Sequence, residues 1–343
     1  TRFDPLLLEF VQMRRQKLPP LTSTFLQELI AYHETLLQDG KRIRPYLGSL
    51  MYLNLGGSLN DEVLRFFAAF ELFHLFCLIH DDIIDKGETR HGVATLHRYT
   101  KTRFLEENRI GNADHIGDSQ ALLVGDLLFS WSIETAERLC PGTLRARARV
   151  RDLFFQMIDE VVVGQMLDVD LSTRAEASDE EILQKMFLKT ASYTFVKPLQ
   201  IGASIQTSSA RVQRFCERFG TALGLAFQWQ DDLLDFVGDA HNTKKTCFSD
   251  LLTRQQTPFT QHIRTHGSEA DQKELNALLG RPLASDEQAQ VRQLLKRTGA
   301  IQAGEAMIAR YFTEAETLVR KTTFLTSPDA FIHLITRMRG RSS

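Results

Sequence analysis

Two stretches of this chain are apolar over most of their length and turn acidic at one end. The first runs from about Asn60 to Asp85 and the second from about Ser208 to Asp235. A helix that is apolar all round, rather than along one stripe, is a buried one, so both are predicted to be long central helices. Elsewhere, apolar residues recur every three to four positions between short polar breaks. Capping-box patterns stand ahead of several such runs: Thr24 to Gln27, Ser178 to Glu181, Ser268 to Asp271 and Ser285 to Gln288. In such a box the first side chain accepts the N–H three residues on, and the last reaches back, so each marks a helix start. Strand signatures are scarce, and Val161–Val163 falls inside a longer helical pattern. The pattern predicts an all-α fold of roughly ten to thirteen helices with short connections.

Composition narrows the picture. The 343 residues, 43% hydrophobic, suffice for a large core. With 41 Lys+Arg against 43 Asp+Glu the net charge is −2, which removes the basic excess that nucleic-acid binding needs. The longest apolar run, Phe66 to His80, is interrupted by Glu71 and is too short to cross a bilayer, so no membrane span is expected. No secretory signal pattern opens the chain. The four cysteines, Cys77, Cys140, Cys216 and Cys247, include no CxxC, which argues against a zinc or disulfide framework and suits a reducing cytoplasm. Only 9 Pro leave long helices uninterrupted, and 23 Phe suggest a large core or an apolar site that needs walls.

The acidic ends carry the chemistry. His80-Asp81-Asp82-Ile83-Ile84-Asp85 closes the first helix and Gln228-Trp229-Gln230-Asp231-Asp232-Leu233-Leu234-Asp235 the second, each followed by a Gly and about 150 residues apart. Asp81 and Asp85 share a helix face, as do Asp231 and Asp235. Like charges at that spacing repel, and carboxylates at a helix C-terminus meet the negative end of the macrodipole. One such cluster also suits a solvated helix end; two copies closing apolar helices point to a compensating cation. Oxygen donors favour Mg²⁺ first and Mn²⁺ second, its shell completed by water and substrate phosphates. The motifs read as a metal-bridged phosphate clamp over an apolar interior. The two must meet across one cavity, which predicts a single domain over 1–343.

A diphosphate also needs direct donors. Gly40-Lys41-Arg42-Ile43-Arg44-Pro45 offers three cations, although alone it also suits a solvated turn. Arg90-His91-Gly92 follows the first acidic cluster, Lys189-Thr190 lies inside a helix starting near Glu180, and Lys245 follows the second cluster. His74 lies two turns below Asp81 on the same face, a placement that suits either a ligand contact or a satisfied core histidine.

These residues, together with Gly125-Asp126-Leu127-Leu128, Gly164-Gln165, Lys189-Thr190-Ala191 and Ser249-Asp250-Leu251, resemble the trans-isoprenyl diphosphate synthases (polyprenyl synthetases) from about Gln38 to the C-terminus. The segment 1–37 matches weakly. The resemblance implies an all-α bundle around a deep cavity, a homodimer, and Mg²⁺-dependent condensation of isopentenyl diphosphate with an allylic diphosphate. Carried over by position, Asp81, Asp85 and Asp231 hold the metal, with Asp82, Asp232 and Asp235 in support. Arg90, Lys189 and Lys245 hold the allylic diphosphate, and Lys41, Arg44, His74 and His91 belong to the isopentenyl diphosphate site. Thr190 and Gln228 turn oxygens toward the carbocation. The family's released diphosphate takes the final proton, so no protein base is required.

The chain departs from the family pattern at Asp39, His91, Lys244 and Gln255. His91 stands in place of a second Arg and is charged only near or below about pH 6.5, which implies a weaker, pH-dependent contact. Gln255 stands where a Lys is common, beside Arg254. Product length is expected to depend on Phe73, Phe76 and Cys77 beneath Asp81, where one helical turn of about 5.4 Å is close to one isoprene unit. A small Cys77 leaves room and the two Phe close the floor, which predicts a C20 product with C15 the main competitor and C25 next; ordinary core packing is the alternative role for both Phe. A class I terpene cyclase or a low-activity subunit of a heteromeric synthase are the competing functions. Arg337, Arg339 and Arg341 read as a frayed basic tail, with closure over a diphosphate the alternative.

Overall fold

The computed structural model describes residues 2–38, 40–90, 92–237 and 248–340. In chain order the elements are α1 (Phe3–Gln16), α2 (Thr24–Leu36), α3 (Ile43–Asn54), α4 (Asp61–Ile84), a hairpin of β1 (Thr89–Arg90) and β2 (Val93–Ala94), α5 (Leu96–Glu106), α6 (Ala113–Arg138), α7 (Leu144–Ser172) and α8 (Asp179–Met186). A π-helical stretch, Phe187–Val196, continues directly from α8. Then come α9 (Lys197–Gln206), α10 (Ala210–Val237), α11 (Ser249–Leu252), α12 (Pro258–His266), α13 (Glu269–Leu278), α14 (Ser285–Arg297), α15 (Ala300–Arg320) and α16 (Pro328–Arg339). The fold is all-α, as the hydrophobic period predicts.

Contacts divide the chain into two compact units. The first comprises Thr1–Ser49 and Ser58–Arg151. Its axis is α4, which packs along α6 through Leu72, Leu75, Ile79, Leu128 and Trp131, with Leu7 and Val11 of α1 closing the same core. Asn60 caps α4 by accepting the Val63 N–H at 2.9 Å, and Asp61 and Glu62 complement the dipole in its first turn. An 18-residue window of α4 has a mean hydropathy of 1.6, enough for a membrane span, but 67% of that window is buried inside the fold. It is a core helix.

The second unit comprises Leu50–Gly57 and Asp152–Ser343. Here α10 is central, flanked by the π stretch and α9 on one side and by α15 on another. Two glycines let backbones approach. A Cβ on Gly164 of α7 would lie 2.4 Å from the Lys189 N, and one on Gly224 of α10 would lie 2.6 Å from the Ala191 Cβ. The π stretch is thus wedged between α7 and α10 at a distance that tolerates no side chain, which explains the Gly in the Gly164-Gln165 motif. Phe236, Phe259, Leu275 and Leu294 build a further core under α12 to α14.

Local capping mostly follows the sequence. The boxes Ser178–Glu181 and Ser268–Asp271 form as expected. At α2 the cap is Ser23, one residue ahead of Thr24, and the Gln27 amide instead reaches the Leu21 carbonyl. At α14 it is Glu287 that accepts an end N–H, from Ala284 at 2.9 Å. Arg339 does not trail off as a tail: it closes α16 with its guanidinium 5.6 Å from the Phe312 ring centre, while Arg341 lies outside the described residues.

Candidate functional site

In the first unit α4 ends on its acidic cluster. The Asp85 N–H donates to the Asp81 carbonyl (2.8 Å), the last helical turn, and the Gly87 N–H donates to that of Asp82 (2.9 Å). The chain then reverses through the hairpin, where Thr89 pairs with Ala94 and Arg90 with Val93. Gly92 takes φ +82°, a left-handed conformation that suits Gly. The reversal brings Arg90 back over the helix end. Its Nη2 lies 2.6 Å from Asp82 Oδ1, its Nε 2.9 Å from Oδ2, and its Nη2 3.9 Å from Asp81 Oδ2. Asp82 is 5% exposed. Burial pushes its carboxyl up, Arg90 opposes the shift by hydrogen bonds and charge, and Asp81 adds to it. Asp81 and Asp85 are half-buried at the same helix end.

Behind the cluster, His80 Nε2 sits 3.2 Å from the Leu122 carbonyl and 3.6 Å from Asp126 on α6. A Cβ on Gly125 would lie 2.4 Å from that nitrogen, so the Gly125-Asp126 pair is built around His80. One turn down, Phe76 stacks edge-on to His80 and lies 4.8 Å from the Phe129 ring of α6 and 5.6 Å from Phe73. Phe73 is fully buried and Cys77 and His74 are half-buried. Of the three cations at 41–44, Arg42 turns inward: it donates to Glu71 (2.9 Å), Asp4 (2.8 Å) and the Leu37 carbonyl. A Cβ on Gly40 would come within 2.1 Å of its Nη1, so the Gly makes space for this ion pair. Lys41 is exposed and Arg44, in the first turn of α3, is buried.

In the second unit Asp231, Asp232 and Asp235 close α10. Asp232 is buried and accepts the Gln228 amide N–H at 2.6 Å. Gln228 presents its amide nitrogen to Asp232. Burial pushes the Asp232 carboxyl up to about 7 against Lys185 and Gln228, with Asp231 and Asp235 adding to the rise. Asp235 anchors the returning chain, accepting the Ser249 N–H (3.0 Å) and hydroxyl (2.8 Å) and the Asp250 N–H (3.1 Å). Burial beside Asp235 and Asp232 holds the Asp250 carboxyl well above the usual range. Two buried carboxyls held up in pKa, Asp232 and Asp250, beside the negative charge of Asp231 and Asp235 suit a helix end that meets a cation.

Lys189 and Thr190 lie on the π stretch. Lys189 Nζ is 2.5 Å from Asp168 Oδ2, Lys185 Nζ is 3.2 Å from Oδ1, and the Gln255 amide nitrogen lies 3.3 Å from Oδ2. Burial alone would raise Asp168, but Lys189 and Lys185 outweigh it and hold its carboxyl below the ordinary value. Neither Asp168 nor Lys185 was singled out from the sequence. The available signals were spacing: Asp168 follows Gln165 by three, and Lys185 precedes Lys189 by four. Arg254, beside Gln255, turns toward Gly280 instead. His91 and Lys245, with Asp39 and Lys244, lie outside the described residues.

Among the described residues, no three His, Cys, Asp or Glu side chains converge as a ready-made metal cage. The donors present, one or two half-buried carboxylates per helix end, suit a hard ion that completes its shell from phosphate and water.

The model of the polyprenyl synthetase family matches residues 26–298. A short chain isoprenyl diphosphate synthase of Methanothermobacter thermautotrophicus is 28% identical over 309 residues, covering 88% of this chain and 87% of its own. Component 2 of a heptaprenyl diphosphate synthase from Geobacillus stearothermophilus is 29% identical, over 82% of this chain and 79% of its own. A crystal structure of geranylgeranyl pyrophosphate synthase from Corynebacterium glutamicum, complexed with isoprenyl diphosphate and magnesium, superposes with a TM-score of 0.91 at 27% identity, covering 99% and 97% of the two chains.

Proposed function

The chain belongs to the polyprenyl synthetase family and is a prenyltransferase, and we propose that it joins isopentenyl diphosphate to an allylic diphosphate to make a short all-trans prenyl diphosphate, C20 in length. The allylic C–O bond breaks, the alkene of isopentenyl diphosphate forms the new C–C bond, and the proton lost from the adduct goes to the released diphosphate. Arg90, Lys189 and Lys245 hold the leaving group, and Lys41, Arg44, His74 and His91 the second substrate. Gln228, its nitrogen committed to Asp232, offers its oxygen to developing positive charge together with the Thr190 hydroxyl. Asp81, Asp85 and Asp231 would hold magnesium, which would supply charge stabilisation to the leaving diphosphate. Asp82, Asp232 and Asp235 act in support.

The observation that carries this reading is the division of labour within each acidic cluster. Asp82 is engaged by Arg90, Asp232 by Gln228 and Asp235 by the Ser249 and Asp250 backbone, and these bonds fix each acidic helix end. On this reading the whole chain works as one catalytic domain, both clusters serving one diphosphate. A homodimer is proposed on the apolar stripe of α7, where Phe155, Val162, Val163, Met166 and Val169 are 42–66% exposed.

The test is direct. Purified protein with Mg²⁺ and both substrates releases diphosphate, and mass spectrometry reads the chain length. No release with both substrates defeats the proposal, and hydrocarbon or alcohol from the allylic substrate alone identifies a cyclase instead.

A further inference from the structure

Asp168 carries two ammonium groups and one amide. It is 2% exposed, with Lys185 at 3.2 Å on Oδ1 and Lys189 at 2.5 Å on Oδ2, where the Gln255 amide also reaches at 3.3 Å. Lys185 is itself buried, at 8% exposure, and is tethered by the Gln256 carbonyl at 2.7 Å. A buried carboxylate with one lysine is a closed neutral pair with little attraction left for an anion. With two lysines the trio keeps one net positive charge, and Gln255 contributes a donor but no charge.

We propose that Lys185 is a positioning residue of the diphosphate site: by neutralising Asp168 from its second oxygen, it leaves the charge of Lys189 directed at an anionic ligand. The diphosphate identity of that anion rests on the prenyltransferase reading. The geometry also says where a substitute charge would work. The Gln255 side chain already touches the same carboxylate, so a lysine there can replace the ammonium of Lys185.

Calorimetry with inorganic pyrophosphate and Mg²⁺ tests this on the full chain, alongside steady-state kinetics. In Lys185→Met the pyrophosphate Kd and the KM for the allylic diphosphate are expected to rise about tenfold, and the KM for isopentenyl diphosphate to stay within about twofold. Adding Gln255→Lys to Lys185→Met should bring both raised constants back to within about threefold of wild type. An unchanged Kd in the single variant, or a double variant no better than the single, overturns the proposal. If Lys185→Met does not fold, Gln255→Lys in the wild-type chain reads the same charge: tighter pyrophosphate binding is expected, and equal or weaker binding overturns the idea. Calorimetry needs no turnover, so a wild-type chain that binds pyrophosphate but makes no prenyl product fails the functional reading and leaves this one standing.

Discussion

Arg90 grips Asp82 side-on, with Nη2 2.6 Å from Oδ1 and Nε 2.9 Å from Oδ2. The hairpin that carries Arg90 is too short to be stable alone, and this pair helps hold it over the end of α4, together with the Tyr32 hydroxyl on the Ala94 carbonyl (2.8 Å) and the Thr95 hydroxyl on the Gly87 carbonyl (2.7 Å). Arg90→Met leaves the Asp82 carboxylate buried without its partner and is expected to cost about 3 kcal/mol. Arg90→Lys should fall between, because an ammonium cannot fork across both oxygens. Urea titration of the three proteins checks the order; equal midpoints would show that the pair is incidental.

Asp81→Ala and Asp231→Ala remove carboxylates that the mechanism assigns to the metal. Turnover is expected to fall about a hundredfold or more in each, with little change in unfolding midpoint. Chelation of Mg²⁺ should abolish activity and its return restore it. A rate near wild type in either variant removes the clamp.

Gly164→Ala asks the π stretch to move, since the new Cβ would lie 2.4 Å from the Lys189 N and 2.6 Å from the Leu188 C. Both are backbone atoms that cannot rotate away, so a loss of about 1–3 kcal/mol is expected, with activity falling as Lys189 shifts. Thermal melts and initial rates measured together provide the check; a fully active, fully stable variant would mean that the helices part without cost.

His33 gives stability a pH dependence. It is 1% exposed, beside Trp131, and its Nδ1 bonds the Ile30 carbonyl. Burial lowers its pKa from 6.5 to about 4, against that bond and Glu34, which favour the charged form. Between those values the unfolded chain binds a proton that the folded one refuses. The contribution is therefore complete above about pH 6.5, declines as pH falls and is exhausted below about pH 4, a span of about 3 kcal/mol. In His33→Phe the slope of stability against pH over this window should flatten, as read by urea unfolding.

Phe76→Ala and Phe73→Ala test the chain-length reading. If these rings close the floor, product mass should shift above C20 in one or both. Phe73 is fully buried and its truncation should also cost about 3–5 kcal/mol. Unlengthened products from both would make the Phe73–Phe76–Phe129 cluster ordinary packing.

Much of this protein was legible one helix at a time. The two acidic helices run within about two residues of where their apolar patterns end, because period and capping are short-range properties of the chain. The family motifs were equally local: Gly164 and Gly125 could be noticed, but not the Lys189 and His80 atoms that forbid a side chain there.

Which partner each charged group takes was decided only in three dimensions. Arg42 stood beside Lys41 and Arg44 as an equal, yet it is turned into the core by Glu71, 29 residues away, where a buried carboxylate demands a cation. Nothing in the sequence singles out Lys185; packing sets it against Asp168. The π-helical register of Phe187–Val196 left no sequence pattern, because it is the close approach of α7 and α10 to its backbone that accompanies it. The sequence by itself determined the helices and the chemistry at their ends; tertiary packing decided which of those charges hold the structure and which border the candidate site, since burial and pairing depend on residues far apart in the chain.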